Sequence, residues 1–263
     1  MKRTLLDTIP SGLPTNITEF IGDAPIYDSS CSREARVYYI EKQDGFYLKC
    51  SPKGTLALEA KMTDYFHKKG FGAEVIEYIS SDLDYMLSRR VVGEDCTYSD
   101  YLADPKRLSA LLGERLRALH EVDAEGCPVT DRMGAYISLA EKNYKNGSYD
   151  ISYFTDSYGK ADVSEIWEIF NSGKNELKNE VLLHGDYCLP NVMLDNWRFS
   201  AFIDVGNGGI GDRHVDLFWG AWTLLFNLGT DEYRERFFDA YGRDKVDEQK
   251  IKTAAALAVL EAC

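Results

Sequence analysis

The sequence has no C-x-x-C pair: its 6 cysteines, Cys31, Cys50, Cys96, Cys127, Cys188 and Cys263, are scattered, and the 4 histidines do not cluster with them. Neither a zinc site nor a disulfide framework can be read from such spacing, so reduced and mostly buried thiols are expected. Proline is scarce, at 7 residues, and there is no low-complexity tract, which excludes a disordered or collagen-like chain. No segment approaches the roughly 20 apolar residues needed to span a bilayer. Lys2 and Arg3 run into Asp7, Pro10 and Gly12 before any apolar stretch of signal-peptide length. A cytoplasmic chain with no membrane partner is the expectation. Positive charge is also in short supply: 30 Lys and Arg face 43 Asp and Glu, a formal net charge of -13. This balance repels phosphate backbones and attracts cationic small molecules, so no nucleic-acid partner is expected. Nothing in the sequence demands more than a monomer.

What is present suits an ordinary globular protein: 263 residues, 44% of them hydrophobic, are enough for one large domain or two smaller ones. Residues 34–42 and 45–52 are β-branched and aromatic runs parted by Gln43 and Asp44, and they read as a hairpin. A helix is predicted over 55–69, where Leu58, Met62, Tyr65 and Phe66 recur at helical spacing before Gly70. Two further strand-like runs, 73–79 and 84–92, flank the turn residues Ser80, Ser81 and Asp82. Residues 1–92 therefore read as a small antiparallel sheet with one helix. Beyond Gly93 the pattern turns helical, with tracts at 107–120, 131–145, 162–171, 213–228, 231–241 and 247–260. The exception is 181–204, which reads as loops and short strands. The Tyr-, Ser-, Asn- and Gly-rich tract 143–160 reads as a long loop or lid.

Chemistry concentrates in 181–206. His184-Gly185-Asp186 is followed five residues later by Asn191, then by Asp204-Val205-Gly206 after an apolar run. Phosphoryl transfer needs one carboxylate to orient a hydroxyl and take its proton, plus an amide and a second carboxylate to hold Mg²⁺. On the H-x-D-x-x-x-x-N … D-x-G template, Asp186 is the base and Asn191 and Asp204 are the metal ligands. His184 reads as a residue that holds the loop rather than one that carries protons. Upstream, Lys49 ends a strand pattern and Glu59 follows on the predicted helix, a pairing suited to holding nucleotide phosphates. Taken singly, each piece has a plainer reading. Lys49 could be a snorkelling surface lysine, His-Gly-Asp a turn with a capping aspartate, and Asp-Val-Gly the end of a strand. Their joint order is what points to a kinase.

The stretch LLHGDYCLPNVMLDNWRFSAFIDVGNGGIGDRHVDLFW resembles the aminoglycoside phosphotransferases, and among them the 3'-phosphotransferases. The resemblance runs over nearly the whole chain. It implies an α+β, protein-kinase-like bilobal fold. Residues 1–92 would form a nucleotide-binding sheet lobe, followed after a hinge near 86–93 by a mainly helical catalytic and substrate-binding lobe over 93–263. It implies ATP or GTP as donor, Mg²⁺ as cofactor, a small cationic hydroxylated acceptor, and a role in antibiotic resistance. By the same resemblance Lys49 and Glu59 serve the phosphates, Ser32 lies in the loop that covers them, and the backbone around Met86, Ser88 and Arg90 receives the adenine. The acceptor falls to Asn207, Glu261 and the terminal Cys263, and on charge alone the acidic loop residues Asp150, Asp156 and Asp162 are candidates to gather a cationic acceptor, with Asp156 taken for the site. Other acceptors, a non-catalytic nucleotide sensor, and a hydrolytic metal site built from His184, Asp186 and Asp204 are the competing readings.

The acceptor region departs from the family pattern. Asn207 stands where an arginine is usual, and the following helix carries Trp219, Trp222 and Phe226 where charged residues are usual. These three at i, i+3 and i+7 fit either a buried core stripe or an aromatic wall facing the acceptor.

Overall fold

The structure is a computed structural model that describes residues 3–31 and 35–261. It divides into two compact units, Met1–Val92 and Gly93–Cys263.

The first unit contains β1 (Thr4–Leu5), α1 (Thr15–Ile21), β2 (Ile26–Asp28), β3 (Arg36–Ile40), β4 (Phe46–Pro52), α2 (Ala57–Lys68), β5 (Val75–Ser80) and β6 (Leu83–Arg89). The strands make one antiparallel sheet in the order β1-β2-β3-β4-β6-β5. β3 and β4 form the expected hairpin, with Tyr38 opposite Leu48. Alternation along β4 sends Phe46, Leu48 and Cys50 into a core shared with Ile17, Ile21, Ile40 and Leu87, and turns Lys49 to the other face. α2 buries Met62, Tyr65 and Phe66, whereas Leu58 is 39% exposed and Ala60 takes its place inward. The start of α2 is held from the sheet: buried Asp84 accepts the Leu56 N–H at 2.9 Å. Burial alone would raise this carboxyl, but hydrogen bonds from Ser80, Gly54, Leu56 and Tyr78 bring it down to about 2. α1 adds a helix to the one expected here.

The second unit holds β7 (Glu94–Asp95), α3 (Ser99–Leu102), α4 (Pro105–His120), α5 (Arg132–Asn146), α6 (Val163–Gly173), β8 (Val181–Leu183), β9 (Val192–Asp195), β10 (Arg198–Phe202), β11 (Gly209–Gly211), α7 (Arg213–Leu228), α8 (Arg234–Tyr241) and α9 (Glu248–Glu261). α4 begins at Asp104, whose carboxylate caps the Arg107 N–H, with Pro105 in the first turn. α6 begins with a capping box between Asp162 and Glu165. From Ala254 to Leu260 α9 is apolar on all sides and accordingly buried, against α5, α6 and α7. Its last turn ends at Glu261. Among the described residues no helix is long and apolar enough to cross a membrane. Of the described cysteines, all free, Cys50, Cys96 and Cys127 are buried, Cys188 is half-buried and Cys31 is exposed.

Candidate active site

The hairpin of β9 and β10 explains how Asn191 and Asp204 come together. Val192 lies opposite Phe202, and the ladder continues one step further, with the Ile203 N–H donating to the Asn191 carbonyl at 3.0 Å. The two candidate cation ligands therefore leave the same end of one hairpin. Asp204 adopts a left-handed backbone, φ 59 and ψ 45, at the start of a short 3₁₀ turn over Val205–Asn207. Aspartate tolerates this region better than most residues, and strain held there is characteristic of functional positions.

Asp186 is locked from several sides. The Asn191 side chain donates through Nδ2 to the Asp186 carboxylate at 2.8 Å and to its carbonyl at 3.0 Å. An amide turned the other way would set oxygen against carboxylate, so Nδ2 faces Asp186 and Oδ1 is left to meet a cation. An amide oxygen and a carboxylate are hard donors of the kind Mg²⁺ takes, so the pair fits that ion. His184 is buried, its Nδ1 accepting the Asp186 N–H at 3.3 Å and its Nε2 donating to the Ile203 carbonyl at 3.1 Å. With both ring nitrogens committed, His184 ties the base loop to the Asp204 segment. It offers no lone pair to a hydrolytic metal, and no cluster of three or more His, Cys, Asp or Glu suited to a metal occurs among the described residues.

Beneath the loop lies Asp216, fully buried, which accepts the His184 N–H at 2.7 Å and the Gly185 N–H at 2.8 Å. The same carboxylate meets His120 Nε2 at 3.1 Å, and His120 Nδ1 meets the Tyr241 hydroxyl at 2.8 Å, which in turn receives Arg213 at 3.2 Å. Burial lowers the His120 pKa, against the opposing pull of Asp216, so the ring is neutral and donates from Nε2. Gly185 is at φ +85, and a Cβ there would lie 2.0 Å from the Asn207 carbonyl oxygen. That carbonyl also accepts the Tyr136 hydroxyl at 2.9 Å, while Arg132 binds the carbonyls of Gly206 and Gly208. His120, Tyr136 and Arg132 carry no signal in the sequence. Asp216 lay within the family-like stretch quoted above, but its partners are distant in the chain.

Asp186 lines a cavity of about 600 Å³ in the second unit, together with Asp150, Asn191, Asn207, Glu261, Tyr136, Tyr153, Cys188, Trp219 and Trp222. Asn207 and Glu261, two of the expected acceptor residues, both line this cavity beside Asp186. Asp156 does not: it is exposed in a 3₁₀ turn outside the lining, and Asp150 is the loop carboxylate that reaches the cavity. Cys263 and Ser32 lie outside the described residues. Glu261 Oε2 is sealed from solvent with no hydrogen-bond partner among the described residues. Burial, opposed by Arg132 and assisted by the Asp186 charge, raises its carboxyl from 4.5 to about 8.

In the first unit, Lys49 Nζ meets both Glu59 carboxylate oxygens, at 2.8 and 2.9 Å, with side chains 21% and 12% exposed. Lys49 on β4 pairs with Met86 on β6. Met86 and Ser88, expected beside the base, lie on a strand that is paired on both sides. β6 lies between β4 and β5, so Met86 pairs with Lys49 and Tyr78, and Ser88 with Tyr47 and Val75. The Arg90 N–H is also taken, by the Gly45 carbonyl at 3.0 Å. Backbone free of the ladder begins beyond Arg90.

A sequence model of the phosphotransferase enzyme family matches residues 32–252. The chain belongs to this family. As a phosphotransferase it is 48% identical over 240 residues to a probable aminoglycoside 3'-phosphotransferase of Lactococcus lactis, covering 91% of each chain. It is also 28% identical over 225 residues to an aminoglycoside 3'-phosphotransferase of Streptomyces fradiae, covering 80% of this chain and 84% of that one. Its fold matches an aminoglycoside phosphotransferase from Streptomyces rimosus with a TM-score of 0.74 at 21% identity, over 94% of this chain and 96% of that one. The α+β, kinase-like fold class is therefore that of this phosphotransferase.

Proposed function

We propose that this phosphotransferase moves the γ-phosphoryl group of ATP or GTP to the 3'-hydroxyl of an aminoglycoside, an activity that would give antibiotic resistance. The observation that carries the reading is Asp186, held by Asn191 in a cavity that also presents Asp150 and Glu261. The relative from Lactococcus lactis, similar along 91% of its length, supports the acceptor class and the position.

In this reading Asp186 accepts the proton of the acceptor hydroxyl as its oxygen bonds to the γ-phosphorus and the bond to the nucleotide diphosphate breaks. Asn191 and Asp204 would hold Mg²⁺, which supplies charge neutralisation to the transferring group. The Lys49 ammonium, oriented by Glu59, takes the phosphates in the first unit, and backbone beyond Arg90, at Val91 and Val92, receives the base. Glu261, Asp150 and Asn207 hold the acceptor: one ammonium group suits the Asp150 carboxylate, and a second brought beside Glu261 would favour ionisation of its raised carboxyl. Positioning by the Asp216 clamp is what makes the base effective, since a misplaced group loses most of its advantage.

The test is nucleotide turnover with ATP and GTP, each with Mg²⁺, against aminoglycosides with and without a 3'-hydroxyl. Acceleration confined to acceptors that carry the 3'-hydroxyl, with a phosphorylated product by mass spectrometry, is the expected result. Equal turnover with 3'-deoxy acceptors would refute the position, and no turnover with any aminoglycoside would refute the acceptor class.

A further inference from the structure

α7 turns two different faces to its surroundings. Phe218, Ala221 and Leu224 are buried in the protein, whereas Trp219 and Trp222 are half-buried at the cavity and Phe226 is 70% exposed. Trp222 and Phe226 therefore lie off the core face of the helix, while Trp219 sits at its margin, packed against the core on one side and lining the cavity on the other. Tyr153 joins it from a short 3₁₀ turn, with ring centroids 5.3 Å from both Trp219 and Trp222. Phe226 stacks on Trp222 at 5.0 Å and 14°. The Trp219 Nε1 donor is closed off from solvent and has no partner among the described residues, an arrangement that a tryptophan serving only as core normally avoids. Exposed aromatic area of this kind, continuous with a cavity, marks a binding surface.

We propose that Tyr153, Trp219 and Trp222 form a specificity wall for the C–H face of an aminated sugar ring, and that Phe226 extends this wall to the next ring of a multi-ring acceptor. The inference rests on the phosphotransferase reading above and narrows its acceptor. Sugar rings carry their hydroxyl and amino groups at the edge and C–H bonds on the faces, so one ring can lie on aromatic side chains while its ammonium meets Glu261 or Asp150 in the same cavity. An ammonium close to an indole is attracted by the ring as well. Selection would then depend on ring shape and length and not on amine count alone.

The experiment compares wild type, Trp222→Ala and Phe226→Ala on two acceptors that share the phosphorylated ring, one of two rings and one with a further ring. Initial rates are combined with titration of intrinsic tryptophan emission. Trp222→Ala should raise the KM of both acceptors about tenfold, the equivalent of about 1.4 kcal/mol. Phe226→Ala should raise the KM of the longer acceptor only, and neither variant should move the nucleotide KM. In wild type, acceptor should shift the emission, and the shift should shrink in Trp222→Ala. Unchanged acceptor KM values in both variants would overturn the wall. If Trp222→Ala does not fold, the exposed Phe226→Ala decides alone. A wild type that turns over neither acceptor, yet shifts its emission with both, would overturn the phosphotransferase acceptor and leave the wall standing; no turnover and no shift would overturn both.

Discussion

The Asn191 side chain spans 2.8 Å to the carboxylate of Asp186, so one residue both orients the base and presents its amide oxygen for a cation. The two roles cannot be separated by removing the side chain. Asp186→Ala should lower kcat by about 10²–10⁴-fold, the usual contribution of a positioned base. Asn191→Ala should lower kcat too and, unlike Asp186→Ala, should raise the Mg²⁺ concentration needed for half-maximal rate. Steady-state rates across a Mg²⁺ titration check both. A kcat for Asp186→Ala equal to wild type would rule out the base.

Glu59→Gln keeps the shape but removes the charge that fixes Lys49. The expected outcome is a higher nucleotide KM and a kcat lower by up to on the order of 10²-fold, as for a misplaced positioning group. The acceptor KM should hold, because Glu59 and the acceptor cavity belong to different units of the chain. Equal effects on the two substrates would count against the assignment.

Glu261 makes stability depend on pH in a definite sense. Its folded carboxyl lies at about 8, above the ordinary 4.5, so the folded state binds the proton more tightly than the unfolded one. The favourable contribution is complete below about pH 4.5 and is lost as pH rises through 8. Glu261→Gln should therefore flatten the decline across this window and raise the melting temperature most at its alkaline end. Urea unfolding of both proteins at several pH values tests the sign. A wild type that gains stability relative to the variant as pH rises would refute it.

Tyr241→Phe removes a hydroxyl that serves both Arg213 and His120. Leaving buried groups unsatisfied costs about 1–3 kcal/mol, which should appear as a lower urea midpoint. If His120 is then free to take the other tautomer, Asp216 loses one of its three donors, the base loop loosens, and kcat falls with the acceptor KM unchanged. His120→Asn, which can still donate to Asp216, should recover part of that kcat in the Tyr241→Phe background.

The parts of this molecule readable from sequence were those set by local spacing. Helices such as α4, α5 and α7 show a long apolar period, and the run from His184 to Asp204 keeps its ligands close through one hairpin. Shorter elements escaped: β1, α1 and β2 have 2, 7 and 3 residues, too few to show a period. The His120–Asp216 contact spans 96 positions, and neither residue announces it, since a lone histidine on a helix has the same local pattern whether buried or not. Asp156 and Asp150 are equivalent as acidic loop residues in the sequence; in the structure the Asp150 N–H is tied to the Val259 carbonyl of α9 at 3.1 Å, and Asp150 lines the cavity. That Met86 and Ser88 sit on a strand paired on both sides could not be read from sequence, because a strand's edge or centre position depends on strand order, which no local pattern encodes.

α9, buried without a break from Thr253 to Leu260, ends in Glu261 at the cavity. A rigid rod packed among α5, α6 and α7 transmits any axial slip to its tip. Substitutions of Ala254, Ala256 or Leu260 that change side-chain volume, far from any ligand, would shift the carboxylate against Asp186 and the aromatic wall. The range of accepted antibiotics could then drift through ordinary core mutations, without change at any residue that touches the drug.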